Sequence, residues 1–163
     1  MLKLNKRYKP IEAIENDEIR SNGIFQWNIS KMIDYINQNI SSISTSVIDV
    51  NEHYSSVKTF GGINDDHVNS VDTSIPIIQV EINPSKYLII DGNHRIIKAY
   101  IDGIRFLKSY DLSVDQHIHF FITTKSYTSF VEYWNSKIIT KGNHNRRKGA
   151  STEAPYPNIL LFQ

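Results

Sequence analysis

Residues 87–95, YLIIDGNHR, decide how this sequence folds, because an apolar run passes without a loop into the start of a helix. The run at 87–90 is of the kind found in strands that are buried on both faces of a sheet. An Asp-Gly pair then breaks the strand. A helix is predicted over residues 94–102, with Gly103 at the position where glycine commonly ends helices.

The turn at residues 91–95 has the composition of a phosphate site. A helix N-terminus exposes unpaired N–H groups and the positive end of the helix dipole, so an anion gains hydrogen bonds there. Gly92 lets a phosphate approach the backbone, and Asn93 follows it in the same turn. Arg95 supplies a planar fork for two phosphate oxygens, and His94 can donate to phosphate or shuttle a proton. These residues predict binding of a nucleotide or another phosphate group.

Asp91 is not an anion binder, and four roles remain open for it. It can cap the helix, hold a ribose hydroxyl, position a metal ion or orient His94. An Asp-Gly turn before a helix is by itself a common structural feature. Cationic or protonatable side chains at 94 and 95 are mildly unfavourable beside the positive helix end unless an anion arrives, which favours the functional interpretation.

The remaining segments predict an α+β fold with a small mixed β-sheet flanked by helices. A stripe of apolar residues predicts a helix over 28–40, capped by Asn28 or Ser30. Residues 41–73 are predicted to be partly helical and then a long loop. Further strands are predicted over 7–14, 75–82, 104–110 and 118–123. A last helix is predicted over 126–138. One domain is predicted over residues 1–140, followed by a basic, proline-containing tail over 141–163.

Composition excludes several classes of function. The chain has 163 residues, 40% of them hydrophobic, and a formal net charge of +1, so no global field draws it to nucleic acid or anionic lipid. The absence of cysteine excludes disulfides, thiolate catalysis and cysteine-ligated zinc. No apolar run approaches the ~20 residues of a membrane span, and we expect a cytoplasmic protein without membrane partners.

Residues 75–78 (IPII), a following strand, residues 87–99 and the Gly-Ile pair at 103–104 together resemble the ParB/sulfiredoxin superfamily. The similarity is good over about 76–103, loose over 9–40 and absent in the tail. It implies the ParB/sulfiredoxin-like fold, in which a turn opening a helix holds nucleotide phosphates.

Three branches of this superfamily differ in the residues of this turn, and each can be compared with residues 91–95. Sulfiredoxins need a cysteine where this chain has Asn93, so their chemistry is excluded. Partition proteins carry a Gly-Glu-Arg-Arg type of turn and a helix-turn-helix domain for which this chain has no room. The free-serine kinases have an Asp-Gly-His-His-Arg turn, which is the most similar to residues 91–95. They use an N-terminal glutamate as base; Glu18 is the best positional match, with Glu12 and Glu15 as rivals.

The resemblance implies Mg²⁺-dependent phosphoryl transfer from ATP or another nucleoside triphosphate to a small hydroxyl substrate. Residues 92–95 would hold the phosphates and Asp91 would be a ligand or near neighbour of the metal ion. Glu18 would take the proton, with Asp91 and His94 also catalytic. Two alternatives stay open: a DNA-binding protein or nuclease that uses the basic stretch 137–148, and a non-catalytic regulatory or immunity module. A homodimer also remains open.

Other polar and aromatic residues have two interpretations each. The Asp-Asp-His sequence at 65–67 is half of a metal site or an ordinary polar loop. His117 and His119 alternate along a predicted strand, as ligands or as a half-exposed face. Trp27 and Trp134 are predicted to be core or pocket-wall residues.

Overall fold

The structure is a computed structural model that describes residues 1–144, with side chains described through residue 139. Its strands are β1 (Ile19–Asn22), β2 (Phe25–Asn28), β3 (Ser44–Asp49), β4 (Ile77–Asn83), β5 (Lys86–Asp91) and β6 (Phe106–Leu112). Its helices are α1 (Ile29–Gln38), α2 (Val50–Phe60), α3 (Asp65–Val68), α4 (Asn93–Ile101), α5 (Val114–His117) and α6 (Thr124–His144).

Two sheets form the framework. β1 and β2 make an antiparallel hairpin, and the other four strands form one sheet in the order β3-β6-β4-β5. β4 is parallel to β6, whereas β3 with β6 and β4 with β5 are antiparallel. The prediction of a small α+β protein with a mixed sheet and flanking helices is therefore confirmed.

The four-stranded sheet separates two clusters of buried side chains. Along β4, Ile77 belongs to the smaller cluster, whereas Ile78 and Val80 belong to the larger one. Successive strand residues point to opposite faces, so the clusters lie on the two sides of the sheet. The larger cluster includes the hairpin, α1 and α6, and the smaller one includes α2 and α4.

Several predicted elements are confirmed with small shifts. The helix predicted over 28–40 is α1, and the Asn28 side chain accepts from the Lys31 N–H at 3.0 Å as its cap. Trp27 is fully buried and Trp134 nearly so, both in the larger cluster. The helix predicted over 126–138 is α6, which continues to His144 across the predicted domain boundary. Beyond residue 144 the predicted tail lies outside the described residues.

The strand predicted over residues 7–14 is wrong. This segment is irregular and is held to the protein by scattered contacts instead of a ladder. The Ile11 N–H donates to the Phe121 carbonyl at 3.0 Å, and the Tyr8 ring stacks on Tyr127 with centroids 3.8 Å apart. Burial, together with the nearby Tyr127, raises the pKa of Tyr8 to about 12.

Two further predictions of strand structure are corrected. Residues 118–123 are not a strand, because α5 ends at His117 and a 3₁₀ turn follows over Ile118–Phe120. The difficult stretch 41–73 contains β3, an edge strand in which only Ile48 is buried, and so its sequence lacks the apolar density of a strand. β5 is also an edge strand: Tyr87 is exposed, so the run at 87–90 is not buried on both faces.

Within the described part of the chain, no helix is both long and apolar enough to cross a membrane.

Candidate functional site

The junction between β5 and α4 is the start of the candidate site. Gly92 is the N-cap of α4, with φ +107°, and a Cβ there would collide with Ile77 Cγ2. Only glycine adopts this backbone next to that neighbour without strain. No side chain caps α4 among the described residues, so the suggested capping role of Asp91 is wrong. The N–H groups of the first turn have no intrahelical acceptors.

Asp91 instead pairs with Arg95. The Arg95 Nη2 donates to Asp91 Oδ2 at 2.6 Å, and both side chains are more than four-fifths buried. The buried Arg95 Nε has no hydrogen-bond partner among the described residues. A buried donor without an acceptor is costly, and native proteins seldom retain one without a reason.

The junction opens into a cavity of about 360 Å³, which we call the smaller cavity. Its lining residues are Glu18, His67, Val71, Asp91, Gly92, His94 and Arg95. Five of them, Glu18 and four of the pentad, were predicted as site residues from the sequence. The fifth residue of the pentad, Asn93, differs: its buried amide Nδ2 donates to the Gly61 carbonyl at 3.1 Å, which ties α4 to the end of α2.

Glu18 reaches the smaller cavity because the backbone around it is fixed. Its N–H donates to Ser30 Oγ at 2.8 Å, and its carbonyl accepts from the Ile29 N–H at 2.8 Å. Partial burial and the Asp91 charge raise the pKa of Glu18, while Arg95 and Arg20 oppose that rise. A glutamate with a raised pKa is a stronger base than an ordinary one. Its rivals Glu12 and Glu15 do not line the cavity.

His94 is held in its neutral form. Its Nε2 accepts a hydrogen bond from the Asn64 N–H at 3.0 Å, so the ring proton of neutral His94 lies on Nδ1. Burial and the neighbouring His67 lower the pKa of His94. The two imidazole rings meet edge to face with centroids 4.9 Å apart. His94 is therefore arranged as a hydrogen-bond donor, and its Nε2 is already engaged.

Sequence reasoning missed Arg20. Burial lowers the pKa of Arg20, while the charges of Asp91 and Glu18 oppose that change. The available signal is the two-residue spacing of Glu18 and Arg20, which puts both side chains on one side of an extended chain. From the sequence, His67 is part of half a metal site or of an ordinary polar loop; its neighbours Asp65 and Asp66 are exposed and do not line the cavity.

Neither His117 nor His119 lines the smaller cavity. His117 is fully buried in the core and His119 is exposed, and neither is on a strand. Among the described residues, no group of three or more His, Asp or Glu side chains could hold a metal ion. The basic stretch 137–148 begins on α6 and lies largely outside the residues whose side chains are described.

No protein-family model, no curated protein and no solved structure matches this chain. A function for it is therefore inferred from the fold and from the geometry of the site.

Proposed function

We propose that this protein is a nucleotide-binding enzyme with a ParB/sulfiredoxin-like fold that transfers a phosphoryl group from a nucleoside triphosphate to a small hydroxyl compound. The observation that carries the proposal is the position of Glu18. Although Glu18 and Asp91 are far apart in the sequence, both carboxylates line the smaller cavity beside the N-terminus of α4. A base and a phosphate-binding turn are the two parts that such a transfer requires.

The protein's own groups have defined parts in the reaction. The N–H groups of the first α4 turn, Arg95 and the His94 Nδ1–H donate to phosphate oxygens. Glu18 accepts the proton of the substrate hydroxyl as its oxygen bonds to the γ-phosphorus. The bond from that phosphorus to the β,γ-bridging oxygen breaks, and the nucleoside diphosphate leaves.

The charges of the site support a requirement for Mg²⁺. Two carboxylates, Glu18 and Asp91, interact with two guanidiniums, Arg20 and Arg95, so protein charges nearly cancel. A polyanionic triphosphate then needs a further cation. Mg²⁺ commonly uses one or two carboxylates together with substrate phosphates, and Asp91 fits that donor set. The ion would supply charge neutralisation for the transferred group.

The first test is calorimetric titration of ATP, CTP and GTP with Mg²⁺, followed by assay of the same samples for diphosphate. Arg95→Ala removes a charge-assisted contact that is worth roughly 1.5–3 kcal/mol, so we expect nucleotide affinity to fall about 10- to 100-fold. Glu18→Gln should keep affinity and lose turnover. In the wild type, the acid limb of the pH–rate profile should lie above the range of an ordinary glutamate, because the pKa of Glu18 is raised.

Arg105→Ala is the matched control, because Arg105 also pairs with an aspartate, Asp49 at 3.0 Å, but does not line the cavity. Absence of heat with all three nucleotides would contradict the proposal. So would an Arg95→Ala protein that unfolds while no nucleotide protects the wild type, since Arg95 would then be structural.

A further inference from the structure

A second and larger cavity, of about 670 Å³, lies beside the smaller one. Its walls come from the β1–β2 hairpin, from α2, from the β4–β5 turn and from α6. Apolar side chains such as Phe60, Ile82 and Tyr87 give it surfaces for a carbon skeleton. Pockets of this size bind small molecules in many proteins, with a few polar groups that fix orientation.

The charged side chains that line the larger cavity are all basic. Arg20, Lys86 and Lys137 line it, together with His53. None of its lining residues in the described chain is an aspartate or a glutamate. Like charges collected in one concave wall repel one another and attract an anion. A cationic amine would find no carboxylate there to pair with.

The larger cavity also collects buried polar atoms that lack partners. Within the described part of the chain, such atoms are Arg20 Nε, Asn83 Oδ1, Arg95 Nε and the Tyr133 hydroxyl. All except Arg95 belong to residues that line the larger cavity. Each unsatisfied group costs roughly 1–3 kcal/mol, so three such atoms in residues of one wall favour a ligand that could satisfy them.

The two cavities share a wall. Arg20 lines the larger cavity while it interacts electrostatically with Glu18 and Asp91 of the smaller one. Asn93 lines the larger cavity, and its chain neighbours Gly92 and His94 line the smaller one. The larger cavity therefore adjoins the candidate site at Arg20 and Asn93.

We infer that the larger cavity binds the acceptor, and that this acceptor is a small hydroxyl compound bearing an anionic group, a carboxylate or a phosphate. The cationic wall and the three unpartnered polar atoms define this chemistry. The acceptor role rests on the proposed function, whereas anion binding by the cavity does not.

The experiment compares three probes that share a hydroxyl scaffold: glycerate, glycerol 3-phosphate and glycerol. Each is titrated calorimetrically into the full chain, with and without ATP and Mg²⁺. Because charge-assisted bonds are about twice as strong as neutral ones, we expect both anions to bind roughly ten-fold or more tighter than glycerol. The preferred anion distinguishes a carboxylate ligand from a phosphate ligand.

Three variants locate the bound anion. Tyr133→Phe deletes only the unpartnered hydroxyl, and Lys86→Met deletes one charge; each should weaken anion binding several-fold. Lys125→Met is the control, because Lys125 is an exposed lysine on the same helix as Lys137 but does not line the cavity. It should leave affinity unchanged.

Equal binding of glycerol and the anions would overturn the inference. So would anion binding that is lost in Arg95→Ala but not in Tyr133→Phe or Lys86→Met, or competition between ATP and glycerate, which would make the larger cavity part of the nucleotide site. Nucleotide binding without anion binding would refute this inference and leave the proposed function standing. Anion binding sensitive to Tyr133→Phe, without any nucleotide binding, would support the cavity's ligand and refute its acceptor role.

Discussion

The core around Trp27 and the walls of the two cavities treat buried polar groups in opposite ways. In the core, fully buried His117 has both ring nitrogens bonded: Trp27 Nε1–H donates to Nδ1 at 3.3 Å, and Nε2–H donates to the Glu81 carbonyl at 2.8 Å. In the cavity walls, Arg20, Arg95 and Tyr133 each hold a buried polar atom without a partner among the described residues. Satisfied polar groups define a unique core, while unsatisfied ones indicate a ligand.

His117 in the core and His94 in the cavity wall differ in the same way, at the Nε2 atom of each ring. His117 donates through Nε2, whereas His94 accepts through Nε2. Burial lowers the pKa of both, and lowers that of His117 to about 4. His117 is neutral because it is buried, and both of its ring nitrogens are hydrogen-bonded in the core. His94, in contrast, keeps its Nδ1 proton at the edge of a cavity. One ring is structural, and the other is available to a ligand.

Acidification should destabilise the protein through the buried His117. The pKa of His117 is lowered from 6.5 to about 4 in the folded protein, so the unfolded chain binds the proton more readily. The stability is fully present above pH 6.5 and is lost as the pH falls towards 4, by an amount on the order of 3 kcal/mol. Urea unfolding at a series of pH values measures this loss.

His117→Gln separates this effect from other titrations, because glutamine can retain both hydrogen bonds but does not titrate. We expect a flatter stability curve between pH 6.5 and 4 than in the wild type. His119→Gln, at an exposed neighbour, should follow the wild-type curve. Parallel curves for wild type and His117→Gln would mean that the buried ring is not protonated in this range.

Gly92→Ala tests how tightly the site junction is built. Gly92 and Gly103 both have positive φ, +107° and +72°, but only a Cβ at Gly92 would meet a neighbour, Ile77. Both alanines are strained by the backbone. We expect Gly92→Ala to destabilise more than Gly103→Ala by roughly 1–3 kcal/mol, the usual cost of overpacking. Chemical unfolding of the two variants gives the difference.

Combining Gly92→Ala with Ile77→Ala tests whether the collision with Ile77 causes this loss of stability. Shortening Ile77 to alanine should remove part of the difference between the two glycine positions, since it deletes the Ile77 Cγ2, the atom that a Cβ at Gly92 would meet first, but keeps the Ile77 Cβ at 2.8 Å. If Gly92→Ala stays equally harmful in that background, backbone strain and not the contact with β4 fixes this glycine.

The sequence was sufficient for local features that one periodicity or one turn determines. The α1 stripe, its Asn28 cap and the passage from β5 into α4 are all present. It was insufficient where tertiary contacts decide. β3 is an edge strand held by β6 and has only one buried residue, so little apolar patterning marks it. The N-terminal segment at residues 7–14 has strand-like residues but no neighbouring strand in the described part of the chain.

The residues of the candidate site likewise fall into those that the sequence predicted and those that it did not. Residues 91–95 are contiguous, and their composition alone indicated an anion site. Glu18 was found only through a family resemblance, because a lone carboxylate carries no local signal. Arg20 and the larger cavity were missed because residues from the hairpin, α2 and α6 meet there only in the folded chain.

The smallest effect is the sharpest test of the difference between core and cavity. Ser126 is fully buried, and its Oγ donates to the Ile24 carbonyl at 2.6 Å, whereas the buried Tyr133 hydroxyl has no partner among the described residues. Deleting each hydroxyl should therefore give unequal results: Ser126→Ala should cost roughly 1–2 kcal/mol, and Tyr133→Phe should lie within about 0.5 kcal/mol of the wild type or slightly above it. Urea unfolding without added ligand measures both. Equal losses would mean that the Tyr133 hydroxyl is satisfied in solution, as the Ser126 hydroxyl is in the core, and is not kept for a ligand.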